Sequence, residues 1–191
     1  MAIVLASQSP RRQELLARIG VEDFKTLSLD IDESYPEGLS PEDTVRYIAK
    51  KKCDAAAALC APDDLIITAD TMVFLDNDRL GKPRDEEDAL RMLRALSGRG
   101  HTVCTGVSVR RGAQEERFAV STRVFFRPMT DDEIRAYIKT GEPMDKAGAY
   151  GVQSRGALFV ERIDGDFFNV MGLPVLRLSR MLLPLGVHCL D

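Results

Sequence analysis

The hydrophobic positions of this chain fall into short runs of two kinds, alternating strand-like and helix-like along most of its length. Ile3 to Ala6 is wholly apolar, the pattern of a strand buried on both faces. Ser7-Gln8-Ser9 follows, then helix-start signals. Ser9 suits an N-cap, Pro10 the first helical position, Leu15, Leu16 and Ile19 recur at helical spacing, and Gly20 suits a left-handed close. Phe24 to Ile31 (FKTLSLDI) alternates as a strand and leads into a loop from Asp32 to Gly38. Ser40-Pro41-Glu42-Asp43 opens a second helix that reaches about Cys60. Leu65 to Ala69 predicts another buried strand with Asp70 at its end. Thr71 to Leu75, a tight turn at Asp76-Asn77-Asp78 and a return strand at Arg79-Leu80-Gly81 come next.

Asp85 to Leu96 predicts an amphipathic helix, acidic at its start and basic later. Val103–Val109 and Glu116–Phe126 read as strands joined by RRGAQE, and Thr130-Asp131-Asp132-Glu133 as a capping box opening a helix that Gly141 stops. From Gly141 to Gly156 no period persists and glycines are dense, which suits either a loop close to a ligand or a long surface loop. Leu158 to Ile163 predicts a strand, Asp164-Gly165-Asp166 a turn, Phe167 to Gly172 its partner strand, and Leu173-Pro174 the start of a last helix to about Leu183. No repeat or linker interrupts the series, so the expectation is a single α/β domain over residues 1–191, as one large or two closely packed lobes.

Composition narrows the chemistry. The 191 residues are 45% hydrophobic and 29% charged, the make-up of a globular protein with a core. No apolar run approaches the roughly 20 residues that span a bilayer, and no basic segment with a long apolar one opens the chain, so neither a membrane partner nor a signal peptide is expected. Cys53, Cys60, Cys104 and Cys189 form no CxxC pair, and only two histidines are available; reduced thiols in a cytoplasmic protein fit better than a structural zinc site. A net charge of −4 argues against nucleic-acid binding by bulk attraction but leaves room for a small anion held by local charge.

Local physics points to where such an anion would sit. A strand, a hydroxyl-rich turn and a helix start present backbone N–H groups and the positive end of a helix dipole. Arg11 and Arg12 lie in the first turn, where the dipole disfavours cations; they are explained by an anion held there or are ordinary surface arginines. Asp70 is a carboxylate in an apolar β segment, costly unless paired, hydrogen-bonded or metal-bound. Lys50, Lys51 and Lys52 point around their helix and cannot all face one site, so at least two are expected at the solvated surface. Lys82 stands between the flexible Gly81 and the rigid Pro83.

Taken together, ASQSPRR, ADT after a strand, GKPRD, SGRGHTVCTGV, TGEPMDKAGAYGVQ and NVMGLP resemble the Maf family of nucleotide pyrophosphatases, in that family's order and across nearly the whole chain. The resemblance implies a fold like that of inosine triphosphate pyrophosphatase, with a long mixed, twisted sheet flanked by helices and a cleft between two lobes. It implies hydrolysis of a nucleoside triphosphate to the monophosphate and pyrophosphate with a divalent metal, Mg2+ or Mn2+. Arg12, Thr71 and Gln153 look like the subgroup acting on dTTP and UTP rather than the one acting on 7-methyl-GTP. The resemblance casts Asp70 as general base, directly or through metal-bound water, Glu33 and Asp70 at strand ends as metal ligands, Lys52 and Lys82 as facing the phosphates, and Ser7, Ser9 and Arg11 as holding the triphosphate.

A glutamine amide at Gln153 could bond N3–H and O4 of uracil or thymine together, but it can also rotate to suit cytosine and so would not by itself exclude CTP; Arg12, a donor only, would oppose the amino group of cytosine if it reached that edge. The expected partners are thus the nucleotide, with modified pyrimidine triphosphates among the substrates considered, and, at most, a second copy of the chain, with housecleaning of nucleotide pools as the role. The alternative is a nucleotide-binding regulator of septum formation with little catalysis. RNA binding falls well behind, with no tryptophan and 6% aromatics.

Overall fold

The first strand, β1 (Ile3–Leu5), is apolar throughout because it is flanked on both sides by other strands. It pairs in parallel with β2 (Phe24–Thr26), Ile3 opposite Phe24, and with β3 (Leu65–Leu75), Ile3 opposite Leu65. Helices make these two parallel crossovers, α1 (Pro10–Arg18) and α2 (Pro41–Ala57). The computed structural model describes residues 1–76 and 78–190. The full sheet is mixed, in the order β2-β1-β3-β5-β6-β7, with β4 (Asp78–Leu80) paired to β3, β5 spanning Gly100–Arg111, β6 Gln114–Phe126 and β7 Val160–Asp164. The remaining helices are α3 (Glu86–Leu96), α4 (Asp131–Ile138), α5 (Phe167–Met171) and α6 (Val175–Leu182). This is the α/β architecture with a long mixed sheet flanked by helices that the family resemblance implies. Among the described residues no helix is long and apolar enough to cross a membrane, and all four cysteines are free thiols.

Contacts divide the chain into two compact units. The first comprises residues 1–70, 105–120 and the segment from 172 to the end; the second comprises 71–104 and 121–171. In the first, α2 begins as its sequence dictates: Ser40 Oγ accepts from the Asp43 amide at 3.1 Å and Pro41 occupies the first turn. The helix lies directly on β5. A Cβ on Gly106 would stand 2.3 Å from the Val45 carbonyl oxygen, so only glycine allows this approach. Gly20 closes α1 at φ 86, as its position predicts.

Three expectations need correction. FKTLSLDI is a strand only over Phe24–Thr26, because β1 ends at Leu5 and offers no edge beyond one further bond, Leu27 N to Leu5 O at 3.0 Å. The alternation is real, but Leu27 and Leu29 spend it on packing against Ala6, Cys53, Ala56 and Ile66. Phe167 to Gly172, read as a strand, contains α5. Asp166 caps it, Oδ1 accepting from the Phe168 and Asn169 amides at 2.8 and 3.2 Å, and Asn169 turns inward to donate to the Val103 carbonyl at 3.0 Å and Thr122 Oγ1 at 2.9 Å. The glycine-rich stretch is ordered into three 3-10 turns, Glu142–Asp145, Ala147–Ala149 and Arg155–Phe159. Of the predicted turn before β4, Asn77 lies outside the described residues.

The second unit is centred on rings. His101, Phe126 and Tyr150 meet edge to face at 4.7–5.4 Å between centroids, and His101 Nε2 bonds the Tyr150 hydroxyl at 2.8 Å. His101 is 2% exposed and its Nδ1 has no hydrogen-bond partner. Burial pushes its pKa down from 6.5 to about 4. The unfolded chain therefore takes up a proton below pH 6.5 that the folded chain refuses until about pH 4, and stability falls as pH drops through that window. Between pH 7 and pH 4 the wild type should lose about 2–3 kcal/mol more unfolding free energy than His101→Gln, which cannot titrate. Denaturant titrations at several pH values measure this, and parallel curves for the two proteins would refute it.

Candidate active site

One hydrogen bond sets the register of the site. Thr68 Oγ1 on β3 donates to the Ala49 carbonyl on α2 at 2.7 Å, with both residues fully buried. Two residues further along β3 the side chain returns to the same face, which is Asp70; three residues further along α2 comes Lys52. The two meet there, Lys52 Nζ donating to Asp70 Oδ1 at 2.8 Å. Asp70 is 6% exposed, and its second oxygen, Oδ2, is buried with no hydrogen-bond partner. It lies within the eleven-residue β3, between Ala69 and Thr71, rather than at a strand end.

Lys52 also reaches Glu33 Oε1 at 2.9 Å, bridging a buried carboxylate and one whose side chain is 55% exposed. Glu33 stands in an irregular segment, not at the end of a strand, since β2 stops at Thr26. Its neighbour Asp32 is held by the neighbouring lysine, Lys51 Nζ donating to Asp32 Oδ2 at 3.1 Å. Hydrogen bonds from Ser34, then from Lys51, keep the Asp32 carboxyl down at about 2. Lys50 pairs with Asp54 on the surface. Of the three consecutive lysines, only Lys52 points into the site, as helical geometry requires.

Arg12 joins the same group. Its Nε donates to the Gly172 carbonyl at 2.8 Å and a terminal nitrogen donates to Ser7 Oγ at 3.2 Å, while Ser7 Oγ also accepts from the Ser9 amide at 3.3 Å. Burial lowers the guanidinium pKa; Asp70 and Glu33 oppose that shift and Arg11 adds to it. Ser9 occupies the N-cap position with extended backbone angles, but its hydroxyl makes no cap bond. The amides of Arg12 and Gln13 turn back to the Ser9 carbonyl at 3.1 and 3.3 Å, so two of the N–H groups expected to point outward are used by the helix itself.

The structure thus gathers Ser7, Ser9, Arg11, Arg12, Glu33, Lys52 and Asp70 in the first unit. Thr71, Lys82 and Gln153 belong to the second. There the Gly148 amide donates to the Gly81 carbonyl at 3.1 Å, which ties the Lys82 loop to the segment leading to Gln153; both side chains are exposed. Sequence reasoning missed Thr68, whose only signal is its place two residues before Asp70. It also missed Glu142, which sits inside the quoted GEPMDKAGAYGVQ stretch.

A divalent cation can be tested against these atoms. The unpartnered, buried Asp70 Oδ2 is an acceptor of the kind a hard cation takes, and Glu33 offers an accessible carboxylate beside the same lysine. Among the described residues no three His, Cys, Asp or Glu side chains gather into a cage. The donor set therefore fits a cation that takes one or two protein carboxylates and completes its shell with phosphate oxygens and water.

The site thus combines a buried carboxylate–lysine pair on a mixed α/β sheet with an arginine and serines at a strand-to-helix turn. The chain belongs to the Maf-like protein family, whose pattern matches residues 2–185. It is 48% identical over 180 residues to the dTTP/UTP pyrophosphatase of Bacillus velezensis, covering 94% of each chain. Over 190 residues it is 46% identical to the dTTP/UTP pyrophosphatase of Pelotomaculum thermopropionicum, covering 98% of each. Over 181 residues it is 47% identical to that of Bacteroides fragilis, covering 94% of each. In structure it is similar to a HAM1 protein from Coxiella burnetii, with a TM-score of 0.57 at 15% identity over 96% of this chain and 99% of that one. That likeness is one of fold, and it is the inosine triphosphate pyrophosphatase-like fold expected from the sequence.

Proposed function

We propose that this chain hydrolyses dTTP and UTP to the nucleoside monophosphate and pyrophosphate, acting as one domain in the cytoplasm to clear unwanted pyrimidine triphosphates. The observation that carries the reading is Asp70: a buried carboxylate with one oxygen bound to Lys52 and the other without a partner, in the field of Arg12. The names of relatives at 46–48% identity over almost the whole chain support it. They do not favour the alternative, a septum-formation regulator with little catalysis.

In this reading Asp70 Oδ2 accepts the proton of the attacking water, which it can do because Lys52 occupies Oδ1 and holds the carboxylate in place. The water oxygen bonds to the α-phosphorus, the bond from that phosphorus to the bridging oxygen breaks, and pyrophosphate leaves with the electron pair. Lys52, Arg12 and Arg11 supply positive charge for the phosphates, with Ser7 and Ser9 as hydroxyl partners. In the second unit we assign Lys82 a phosphate charge and Thr71 and Gln153 the nucleoside. Asp70 and Glu33 would hold a divalent cation, magnesium or manganese, which when bound supplies further positive charge to the phosphates.

Arg12 takes a different part here from the base-reading one that its chemistry first suggested. Its guanidinium is tied to Gly172 and Ser7 and lies in the field of Asp70 and Glu33, which supports a role at the phosphates. The nucleoside is then left to Thr71 and Gln153, and choice of uracil over cytosine requires the Gln153 amide to be held with its oxygen toward N3–H.

Assayed with magnesium or manganese against a panel of nucleoside triphosphates, the protein should release pyrophosphate from dTTP and UTP. Asp70→Asn should lower kcat by about 10²- to 10⁴-fold, and chelation should abolish turnover. Strong preference for 7-methyl-GTP would contradict the subgroup, and binding without turnover would favour the regulator. Arg12→Ala should reduce UTP, dTTP and CTP turnover in common, whereas Gln153→Ala should change the UTP-to-CTP ratio. A selective rise of CTP turnover in Arg12→Ala would return Arg12 to base reading.

A further inference from the structure

Gln153 is exposed, yet the turn that carries it is bound on both sides by one acid. Glu142 Oε1 accepts from the Tyr137 hydroxyl at 2.7 Å, from Ser154 Oγ at 2.6 Å and from the Gly156 amide at 3.2 Å; Oε2 accepts from the Arg155 amide at 3.3 Å. The Tyr137 oxygen in turn accepts from the Gly151 amide at 3.1 Å. Residues 151, 154, 155 and 156 are thereby tied, directly or through one hydroxyl, to a single carboxylate, and Gln153 lies between them.

The turn has no room to relax by itself. The Ser154 amide bonds the Gly151 carbonyl at 3.4 Å, placing Gln153 third in a four-residue turn. At its neck the chain touches itself: a Cβ on Gly156 would meet the Gly151 carbonyl oxygen at 2.6 Å and the Tyr137 hydroxyl at 2.8 Å. Lys146 seals the other side. Its Nζ donates to the Glu142 carbonyl and to Asp145 Oδ1, each at 2.7 Å, and a Cβ on Gly151 would stand 2.8 Å from its Cε. Burial works against ionised Glu142, and the hydrogen bonds from Ser154, Tyr137, Gly156 and Arg155 outweigh it, holding the carboxyl below its usual range. None of the four groups bonded to Glu142 belongs to Gln153, whose side chain is exposed.

We propose that Glu142 is a positioning residue for substrate choice: through Tyr137, Ser154 and the amides of Arg155 and Gly156 it fixes the turn that presents the Gln153 amide to a pyrimidine base. The inference rests on the reading of Gln153 given above. Glu142 itself touches no substrate.

Affinity for a non-hydrolysable α,β-methylene analogue of UTP, read by calorimetry, tests this without turnover. Glu142→Gln should weaken binding about tenfold in the wild-type background and by less than about twofold in a Gln153→Ala background, because the two residues act as a unit. The same variant should lose most of the preference for the uridine over the cytidine analogue. Ser154→Ala, which removes a single bond, should show a smaller loss with the same dependence on Gln153, and it serves if Glu142→Gln does not fold. Unchanged affinity in Glu142→Gln, or an equal loss in both backgrounds, would overturn the proposal, the second outcome marking a purely structural acid. If the wild-type protein binds the analogue and the cycle couples but no triphosphate is hydrolysed, the catalytic reading fails and this one stands. Failure of the wild type to bind either pyrimidine analogue would overturn it.

Discussion

The buried carboxylate of Asp70 is the constraint on which this structure turns. A charge placed in the middle of an apolar strand is tolerated only with a partner, and the partner must come from outside the strand. The chain supplies it by laying α2 across the sheet at a fixed register. Gly106 lets the helix backbone come within reach of β5, and Thr68 pins the Ala49 carbonyl one turn before Lys52. Lys52 satisfies one oxygen of Asp70, Glu33 shares the same ammonium, and Arg12 adds a second positive group held by Ser7 and Gly172. The Asp70–Lys52 pair therefore depends on the register of helix-on-sheet packing.

The same dependence explains what the sequence alone revealed. Strands and helices whose periods extend over a whole element were legible: β1, α1, α2, α3 and the capping box of α4 fall where pattern and caps predict them. Asp70 stood out as an acid among apolar residues, whereas helical spacing showed only that the three lysines could not all face one site, and it was the family resemblance that pointed to Lys52. Elements whose form is decided by distant partners were not legible. FKTLSLDI alternates as a strand does, yet its second half has no strand to pair with and becomes a packed loop. Phe167 to Gly172 has strand-forming residues, but Asp166 caps a helical turn and Thr122 and Val103 draw Asn169 inward, contacts set by residues more than forty positions away. Glu142 carried no local signal, since its hydrogen-bond partners lie up to fourteen residues off in a stretch with no period.

The two units organise their polar groups differently. In the first, acids and bases meet directly, and one carboxylate oxygen is left over for chemistry. The second has direct pairs as well, Arg91 with Asp88 and Arg127 with Glu133, and adds an acid, Glu142, that accepts four hydrogen bonds, and an aromatic cluster closed around a histidine kept neutral by burial. The resemblance of the motifs to the Maf family agrees with the family match, which covers residues 2–185.

Hydrolysis of UTP in water enriched in oxygen-18 tests the central claim most directly, because it reports which phosphorus the activated water attacks. The account predicts the label in the uridine monophosphate, unlabelled pyrophosphate, and loss of both products in Asp70→Asn. Label in pyrophosphate, or release of orthophosphate from the γ position, would contradict it.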